Sequence, residues 1–332
     1  MIDQPKVALV GCGYWGKNLC RNFHALGALA AVVDTTDNGQ AIAKSIAPEV
    51  LLAPTFEDVL GDDQIKGIAL ATPAETHAEL AVIALRAGKD VFVEKPMALT
   101  MEDAEKMKMV AEETSRILMV GHLLEYHPAV LKLREMIALG ELGKINYIYS
   151  NRLNFGKVRT EENALWSFAP HDVAVILRLI GQAPTEVSAC GGSYLTKGIA
   201  DTSMSNLRFE NESRSHIFVS WLHPFKEQRL VVVGDEKMAI FTDVVPFGEK
   251  LQLYPQNVEF EGSIPLLKKE DAEFVEHANT EPLREECKHF LECIQSRKQP
   301  LTNAQSGIDV LKILHACQQS IEQNGVPVSL RN

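Results

Sequence analysis

Short apolar runs alternate with segments of helical periodicity along the first third of the chain. The pattern predicts strands at residues 7–10, 28–33, 67–72, 91–93 and 117–121, and helices at residues 14–26, 76–87 and 101–113. Alternating strand and helix patterns of this kind are typical of a parallel, doubly wound sheet. Residues 1–122 are therefore predicted to form one α/β domain of that type.

The pattern changes after residue 126. Helices are predicted at residues 128–139, from near 170 to 181, at 283–297 and at 305–322, and strands at 144–155, 185–194, 202–210, 214–222, 228–233 and 237–243. Consecutive strands separated by turns indicate an antiparallel or mixed sheet. Residues 123–332 are therefore predicted to form a second domain of the α+β class.

The composition suits a globular protein of two domains, with 332 residues of which 46% are hydrophobic and 23% charged. The 33 basic side chains against 44 acidic ones give a net charge of −11. This charge argues against a nucleic-acid partner, because phosphate neutralisation needs a basic face. A local basic cluster would still accommodate an anionic small substrate.

The sequence does not indicate a membrane segment, a metal site or a disulfide framework. The amino terminus lacks the basic and apolar regions of a signal peptide, and no stretch approaches the ~18 apolar residues of a membrane span. The six cysteines include no Cys-x-x-Cys pair, so reduced thiols and a cytoplasmic location are expected. No Asp, His or Cys cluster has metal-ligand spacing, and we expect no metal.

A glycine-rich motif lies between the first predicted strand and the first predicted helix. Gly11, Gly13 and Gly16 fit Gly-x-Gly-x-x-Gly, with Tyr14 and Trp15 in variable positions. In dinucleotide-binding folds the first glycine allows the tight turn, the second lets the backbone approach a pyrophosphate, and the third lets helix and strand pack closely. The free N–H groups and the positive dipole end of the helix would then hold the phosphates.

Asp34 closes the second predicted strand. A carboxylate in this position can accept hydrogen bonds from ribose hydroxyls and repels the 2′-phosphate of NADP. Thr35 and Thr36 follow it, so no arginine is present to favour that phosphate. NAD is therefore the predicted cofactor.

Two further strand ends lie at the predicted binding rim, since ligands bind beyond the carboxyl ends of parallel strands. Thr72 and Pro73 end one of them, and His77 follows in the first turn of the next helix, where it either contacts the nicotinamide or only caps the helix. Glu94 and Lys95 end the other strand and are followed at once by a proline. A lysine in that place can point its ammonium group into a cofactor crevice.

Four runs together resemble the glucose–fructose oxidoreductase/inositol dehydrogenase (Gfo/Idh/MocA) family. They are Gly11-Cys-Gly-Tyr-Trp-Gly16, Thr72-Pro-Ala-Glu-Thr-His77, Ala87-Gly-Lys-Asp-Val-Phe-Val-Glu-Lys-Pro96 and Gly121-His-Leu-Leu-Glu-Tyr-His-Pro128. The resemblance spans essentially the whole chain, and Glu-Lys-Pro in this setting is highly specific. It implies an amino-terminal Rossmann domain and a carboxyl-terminal domain with an open, largely antiparallel sheet, whose exposed face makes the contact of a homodimer or homotetramer. It also implies oxidation or reduction of sugars, inositols or nucleotide sugars with a bound nicotinamide.

Within the family, Trp15-Gly-Lys-Asn-Leu19 and Leu165-Trp-Ser-Phe-Ala-Pro-His-Asp172 are most similar to enzymes that oxidise the 3-hydroxyl of UDP-linked N-acetylhexosamines. This narrower resemblance implies oxidation of UDP-N-acetylglucosamine at C3, a downstream aminotransferase and a role in cell-envelope polysaccharide or lipid A biosynthesis. Three alternatives stay open: UDP-N-acetylglucosaminuronate as substrate, an inositol or free sugar as substrate, and a non-catalytic dinucleotide-dependent regulator.

Lys95 and His171 are the predicted catalytic pair, and we expect both over the same nicotinamide ring. Because Pro170 suits the first turn of a helix, the imidazole of His171 is expected at a helix start, where the positive dipole end lowers its pKa. A neutral imidazole can take the proton of an alcohol, while the ammonium of Lys95 stabilises charge on the oxygen. The family often has aspartate four residues before this histidine. Here Ser167 stands in that place, and either it only forms a hydrogen bond or Asp172 supplies the carboxylate.

A local positive cluster is the predicted diphosphate site. Arg152 lies on one side of the alternating stretch at 144–155, and Lys157 and Arg159 follow it. Solvated loop charges are the alternative for these cations. Further substrate contacts are predicted at Tyr126, Asn163, Trp166, His171 and Asp172, with core packing as the alternative for Tyr126 and Trp166.

Overall fold

The computed structural model describes residues 4–331, which form two compact units. The first unit contains the residues up to Tyr126 and also Thr280–Leu311, and the second contains His127–Asn279 and the residues from Lys312 onward. The prediction places all of residues 123–332 in the second domain, whereas the segment Thr280–Leu311 lies in the first unit. The chain returns to the first unit there before it ends in the second.

Up to residue 126, strands and helices alternate as predicted. The strands are β1 (Lys6–Val10), β2 (Leu29–Val33), β3 (Leu51–Leu52), β4 (Ile65–Leu70), β5 (Asp90–Glu94) and β6 (Leu118–Gly121). The helices are α1 (Gly16–Ala25), α2 (Asp37–Ile46), α3 (Phe56–Gly61), α4 (His77–Arg86) and α5 (Met101–Glu113), with short 3-10 helices at Ala74–Thr76 and Leu123–Tyr126. The sequence pattern does not predict β3, α2 or α3.

The six strands of the first unit form one sheet in the order β3-β2-β1-β4-β5-β6, and all neighbours pair in parallel. The strand order reverses direction between β1 and β4. In open parallel sheets the ligand crevice lies outside the carboxyl ends of the strands at such a point. The predicted Rossmann sheet is confirmed, and the predicted motifs lie at the ends of β1, β2, β4 and β5.

The remaining elements follow in one series. They are α6 (Pro128–Ala138), β7 (Ile145–Phe155), α7 (Ala164–Ile180), β8 (Glu186–Gly192), β9 (Thr202–Arg208), β10 (Arg214–Ser220), β11 (Leu222–Gly234), β12 (Met238–Thr242), β13 (Leu251–Tyr254), β14 (Asn257–Glu261), β15 (Ile264–Lys268), β16 (Glu273–Phe274), α8 (Pro282–Ser296), α9 (Ala304–Glu322) and β17 (Val328–Ser329), with a 3-10 helix at Phe247–Glu249. Strands β14 and β15 form a separate hairpin.

The second unit is built on a nine-stranded sheet in the order β16-β13-β12-β11-β7-β10-β9-β8-β17. β7 and β10 pair in parallel, and the other pairs of this sheet are antiparallel. α7 packs on one face of it, against β7, β9 and β10. Along β9, Ser205 and Leu207 are buried whereas Met204 and Asn206 are exposed, so the opposite face is open. The predicted mixed, largely antiparallel sheet is confirmed.

Aromatic packing explains why α8 belongs to the first unit. Phe290 of α8 lies edge-to-face against Phe23 of α1 and Phe92 of β5, with ring centroids 6.5 Å and 5.9 Å apart, and all three rings are fully buried. Burial of each phenylalanine contributes about 1.5–3 kcal/mol. Gly67 of β4 makes room for the helix, since a Cβ there would lie 2.9 Å from Cδ1 of Ile294. Within residues 4–331, no helix is both long enough and apolar enough to cross a membrane.

Candidate functional site

The three glycines between β1 and α1 have different surroundings. Gly11 has a φ of +88°, and a Cβ there would lie 2.8 Å from the carbonyl oxygen of Ala71. A Cβ at Gly16 would lie 2.1 Å from the carbonyl oxygen of Gly11. A Cβ at Gly13 would meet no atom of the described residues within 4 Å. Two of the glycines are therefore required for packing, and Gly13 leaves open space above the turn, as a pyrophosphate requires.

The amino terminus of α1 has no side-chain cap from within residues 4–331. Trp15 stands in the cap position, and the first turn holds no acidic residue among those described. Tyr14, beside it, is 78% exposed. Main-chain N–H groups at a helix start carry partial positive charge and attract phosphate. The turn therefore fits the pyrophosphate of a dinucleotide.

Asp34 follows β2, and its carboxylate is held beside the glycine turn. Its Oδ2 accepts the N–H of Cys12 at 2.6 Å, and its Oδ1 accepts the N–H and the hydroxyl of Thr36 at 2.8 and 2.7 Å. Burial alone would raise the pKa of Asp34, but these bonds outweigh burial and lower the pKa. Gly39 packs against the group, since a Cβ there would lie 2.1 Å from its Cγ. Asp34 is thus a fixed anion, which suits ribose hydroxyls and disfavours a 2′-phosphate.

His77 is a buried link between two strand ends. It begins α4 and is 1% exposed. Its Nδ1 lies 2.9 Å from the carbonyl oxygen of Pro96, and its Nε2 lies 2.9 Å from that of Thr72. Burial lowers the pKa of His77, although both carbonyls oppose this shift. The ring therefore joins the segments that follow β4 and β5. Pro73, which follows Thr72, is exposed.

Glu94 ends β5 and is 7% exposed, and the next residue, Lys95, is half-buried. Oε1 of Glu94 accepts the indole N–H of Trp15, and Oε2 of Glu94 accepts the main-chain N–H of Lys95 at 3.3 Å. Burial raises the pKa of Glu94 to about 7, although the Trp15 bond and the Lys95 charge oppose the shift. A carboxyl group that titrates near neutral pH therefore lies directly beside the predicted catalytic lysine.

Among residues 4–331, two further glutamates are buried in the first unit, and neither is among the predicted site residues. Glu286 of α8 is fully buried, and Glu125 is 3% exposed. Neither oxygen of Glu286 has a hydrogen-bond partner in the described part of the chain. Burial, together with the carboxyl groups of Glu94 and Glu125, raises the pKa of Glu286 well above its ordinary value. The sequence could have indicated that Glu286 is buried, because it lies on the same face of the helix as the buried residues Leu283 and Phe290.

His171 lies inside α7 and not at its start, which corrects the predicted helix boundary. α7 begins at Ala164, so His171 comes about two turns later. The side chain of Asn163 caps the helix by accepting the N–H of Trp166 at 3.2 Å, and Pro170 is accommodated in the interior. The dipole argument for a lowered pKa of His171 is therefore wrong, because the dipole effect falls off within the first turn.

Asp172 forms a buried ion pair with Arg152 of β7. The guanidinium donates from Nε at 2.6 Å and from Nη2 at 3.2 Å, and the hydroxyl of Ser150 donates to the same carboxylate at 2.6 Å. The side chain of Asp172 is 2% exposed and that of Arg152 14%. Successive helix residues point in different directions, and Asp172 points at the sheet. Ser167, one turn before His171, is also buried.

The predicted positive cluster is divided in the structure. Arg152 is paired with Asp172, and Arg159 lies 3.0 and 3.4 Å from two neighbouring glutamates. Lys157 is exposed on the same loop. Arg152 and Arg159 therefore already have carboxylate partners, which weakens the case for a diphosphate site.

The other predicted substrate residues also have structural partners. Tyr126 is 4% exposed in the core of the first unit, and its hydroxyl lies 3.1 Å from that of Thr302, which supports the packing alternative. Trp166 packs edge-to-face on His315, with centroids 5.0 Å apart. Asn163, besides capping α7, donates from its amide to a glutamine of α9 at 2.8 Å. Each of these contacts lies within a single unit.

Two family models match the chain. Residues 5–122 match the model described as an oxidoreductase family with an NAD-binding Rossmann fold. Residues 130–240 match the model of the GFO/IDH/MocA C-terminal domain. The first match coincides with the parallel sheet, and the glycine turn and Asp34 fit NAD. The first unit is an NAD-binding Rossmann domain.

Named relatives cover most of the chain. UDP-N-acetylglucosamine 3-dehydrogenase from Acidithiobacillus ferrooxidans is 25% identical over 308 residues, which cover 92% of this chain and 94% of the relative. A solved structure of that enzyme matches with a TM-score of 0.84 and 23% identity, over 97% of this chain and 99% of that chain.

Other relatives have different substrates in their names. The scyllo-inositol 2-dehydrogenase (NAD(+)) of Bacillus subtilis is 26% identical over 344 residues, which cover 99% of this chain and 97% of the relative. A solved levoglucosan dehydrogenase, in complex with NADH and levoglucosan, matches with a TM-score of 0.84 and 19% identity, over 99% of this chain and 100% of that chain. The similarity therefore indicates a sugar dehydrogenase without specifying its sugar.

Proposed function

This chain belongs to the GFO/IDH/MocA oxidoreductase family, and from this premise we propose that it oxidises C3 of UDP-N-acetylglucosamine to the 3-keto nucleotide sugar. Membership makes it an NAD-dependent sugar oxidoreductase. The choice of substrate is supported by one observation above all, the match to UDP-N-acetylglucosamine 3-dehydrogenase over 92% of this chain and 94% of the relative.

In the proposed reaction Lys95 acts on the substrate oxygen. When bound, NAD supplies the acceptor for the hydride. The ammonium of Lys95 donates a hydrogen bond to the reacting hydroxyl and stabilises the negative charge that grows on its oxygen. Gly13 leaves space for the pyrophosphate, and Asp34 accepts hydrogen bonds from ribose.

His171 accepts the hydroxyl proton in this proposal. A neutral imidazole can accept the proton of an alcohol, and this role does not require a helix dipole. Ser167, one helical turn earlier and buried, offers a hydroxyl where family members often have a carboxylate. The base therefore works without a dedicated anion from Asp172, whose oxygens bind Arg152 and Ser150.

An inositol or free sugar is the second candidate substrate. The scyllo-inositol dehydrogenase match covers 99% of this chain. The pairing of Arg152 with Asp172 also favours this candidate, because a nucleotide sugar needs cations for its diphosphate and an unphosphorylated sugar does not.

We also propose a homodimer or homotetramer that forms through the open face of the second sheet. On this face Tyr149 stacks on His216, with centroids 5.1 Å apart, and Met204 is 44% exposed. Aromatic and methionine side chains are enriched at the cores of interfaces. A downstream aminotransferase would consume the 3-keto product.

Turnover of a small substrate panel tests the proposal. We expect NADH absorbance with UDP-N-acetylglucosamine, increased when an aminotransferase removes the ketone, and no signal with free N-acetylglucosamine or scyllo-inositol. Lys95→Ala and His171→Ala should each lower kcat by about 10²–10⁴-fold. Turnover of the inositol alone would establish the second candidate. NAD binding without turnover of any substrate would instead support a non-catalytic dinucleotide-dependent regulator.

Matched variants control this experiment. Lys66→Ala and His24→Ala remove an exposed lysine and an exposed histidine of the first unit and should leave kcat unchanged. Gly13→Ala should weaken NAD binding without loss of stability, because its Cβ would point into open space among the described residues, whereas Gly16→Ala should destabilise the fold. Full activity of Lys95→Ala or of His171→Ala would remove that residue from the mechanism.

A further inference from the structure

The carboxyl group of Glu94 joins two segments of the first unit that are 79 residues apart in the chain. One is the glycine turn, where Trp15 immediately precedes α1. The other is the end of β5, where Lys95 follows Glu94. The carboxyl group accepts the indole N–H of Trp15 on one oxygen and the main-chain N–H of Lys95, at 3.3 Å, on the other. One buried side chain thus contacts both the cofactor turn and the lysine segment.

The surroundings of Glu94 are shaped for a carboxyl group. Gly121, on the neighbouring strand β6, leaves the space, since a Cβ there would lie 3.0 Å from Oε2 of Glu94. On the other side of Lys95, the carbonyl oxygen of Pro96 lies 2.9 Å from the ring of His77. The main chain at Lys95 is therefore held from both sides.

We propose that Glu94 is a positioning residue whose carboxylate ties the phosphate-binding turn to the segment that carries Lys95. An ionised carboxylate accepts N–H bonds more strongly than a neutral acid does. Protonation of Glu94 therefore loosens Trp15 and with it the turn that receives the pyrophosphate. The role given to Lys95 rests on the proposed function, whereas the effect on the turn does not.

Several titratable groups interact with Glu94 or with its neighbours. Lys95 contributes a positive charge beside Glu94. Glu286 and Cys287 both interact with the charge of Glu94, and Glu125 acts on Glu286. Burial raises the pKa of both Glu286 and Cys287 well above their ordinary values and so favours the neutral form of each. The pKa of Glu94 itself is raised by burial to about 7. A change from pH 6 to pH 8 therefore adds a carboxylate at this position.

The indole N–H resonances of the protein report this change directly. The chain has three tryptophans. We expect the resonance of Trp15, assigned with Trp15→Phe, to titrate with a midpoint near pH 7 in the wild type and to be flat in Glu94→Gln. Trp221 is an internal control, because its indole N–H binds Asp201 at 2.6 Å, and hydrogen bonds lower the pKa of that carboxyl group against the effect of burial. A flat Trp15 resonance in the wild type, or an unchanged titration in Glu94→Gln, would overturn the proposal.

NAD binding gives the second readout. Calorimetry should show wild-type affinity for NAD falling about fivefold from pH 8 to pH 6. Glu94→Gln and Trp15→Phe should both lose this dependence, and Glu286→Gln, which changes another buried carboxyl group, should keep it. Trp15 is 36% exposed, so Trp15→Phe tests the inference even if Glu94→Gln folds poorly. Unchanged pH dependence in both site variants would contradict the inference, while an absence of sugar turnover alone would contradict only the proposed function.

Discussion

The two units treat their buried polar groups differently. In the second unit, Asp201 is 1% exposed and accepts the indole N–H of Trp221 at 2.6 Å and two main-chain N–H groups at 2.6 and 2.9 Å. In the first unit, Glu94 is 7% exposed and accepts the indole N–H of Trp15 but only one main-chain N–H among residues 4–331, at 3.3 Å. Each unit thus has an indole–carboxylate pair, with unequal numbers of donors.

The supply of donors decides whether such a carboxyl group is a permanent charge. Burial opposes ionisation in both units. At Asp201 the N–H bonds outweigh burial and lower the pKa, whereas at Glu94 burial dominates and raises the pKa to about 7. Asp243 of the second unit resembles Asp201, because bonds from His127 and Lys250 outweigh burial and hold its pKa far below the usual range. Asp201 and Asp243 of the second unit are therefore fixed charges, whereas the first unit has, besides the fixed anion Asp34, a titrating group beside its cofactor motif.

The largest effect on stability is expected from Asp172→Ala in the second unit. The variant leaves the guanidinium of Arg152, 14% exposed, without its carboxylate. An uncompensated buried charge costs about 3–5 kcal/mol, so the free energy of unfolding in urea at pH 7 should fall by that amount. Glu286→Gln is the matched control, since it replaces a buried carboxyl group, whose neutral form burial favours, by an uncharged amide of similar size. It should change stability by less than about 1 kcal/mol. Equal losses in both variants would abolish the distinction between the units.

The pH dependence of stability should differ in sign between the two indole–carboxylate pairs. A folded-state pKa of about 7 for Glu94 stabilises the protein below its unfolded value of 4.5, and this contribution is lost as the pH rises between the two. The loss is roughly 3 kcal/mol for a buried group. Glu94→Gln should therefore gain stability relative to the wild type, by up to that amount, as the pH rises over this interval.

Asp201→Asn provides the comparison in the second unit. The lowered pKa of Asp201 contributes stability that is lost as the pH falls, so the deficit of this variant should shrink in acid. Urea unfolding from pH 4 to pH 8 measures both variants. Curves that run parallel to the wild type for both would show that neither carboxyl group has the state assigned to it here.

Local patterns predict the parts of the fold that are built from regular periods. β1, β4 and β5 each contain a continuous apolar run, as is typical of strands that are buried on both faces. α7 is predicted to start too late because Pro170 has the form of a helix-start residue, whereas Asn163 is the actual cap. α8 lies in the first unit because Phe290 packs against Phe23 and Phe92, which are distant from it in the sequence. A local hydrophobic pattern cannot predict such a contact.

The candidate site divides in the same way. Gly13 and Asp34 follow from spacing within one strand–helix–strand segment, because the steric needs of a phosphate turn are local. The bond from Trp15 to Glu94 and the pair of Arg152 with Asp172 join residues 79 and 20 positions apart. Those partners are determined by the tertiary fold, so the sequence indicates which groups are candidates for the chemistry but not which of them neutralise each other.

The smallest effect is expected at the helix starts, where the units again differ in how their donors are satisfied. α7 is capped by the side chain of Asn163, whereas the described part of the chain provides no side-chain cap for α1. Asn163→Ala should lower the free energy of unfolding by about 1 kcal/mol, and Asn163→Asp should retain most of it, since aspartate caps equally well. If Asn163 acts only as a cap, the KM for the sugar should stay unchanged in both variants. A raised KM in Asn163→Asp with full stability would instead indicate that Asn163 contacts the substrate. In that case the start of α7, like the start of α1 in the first unit, would have a polar group available for a ligand.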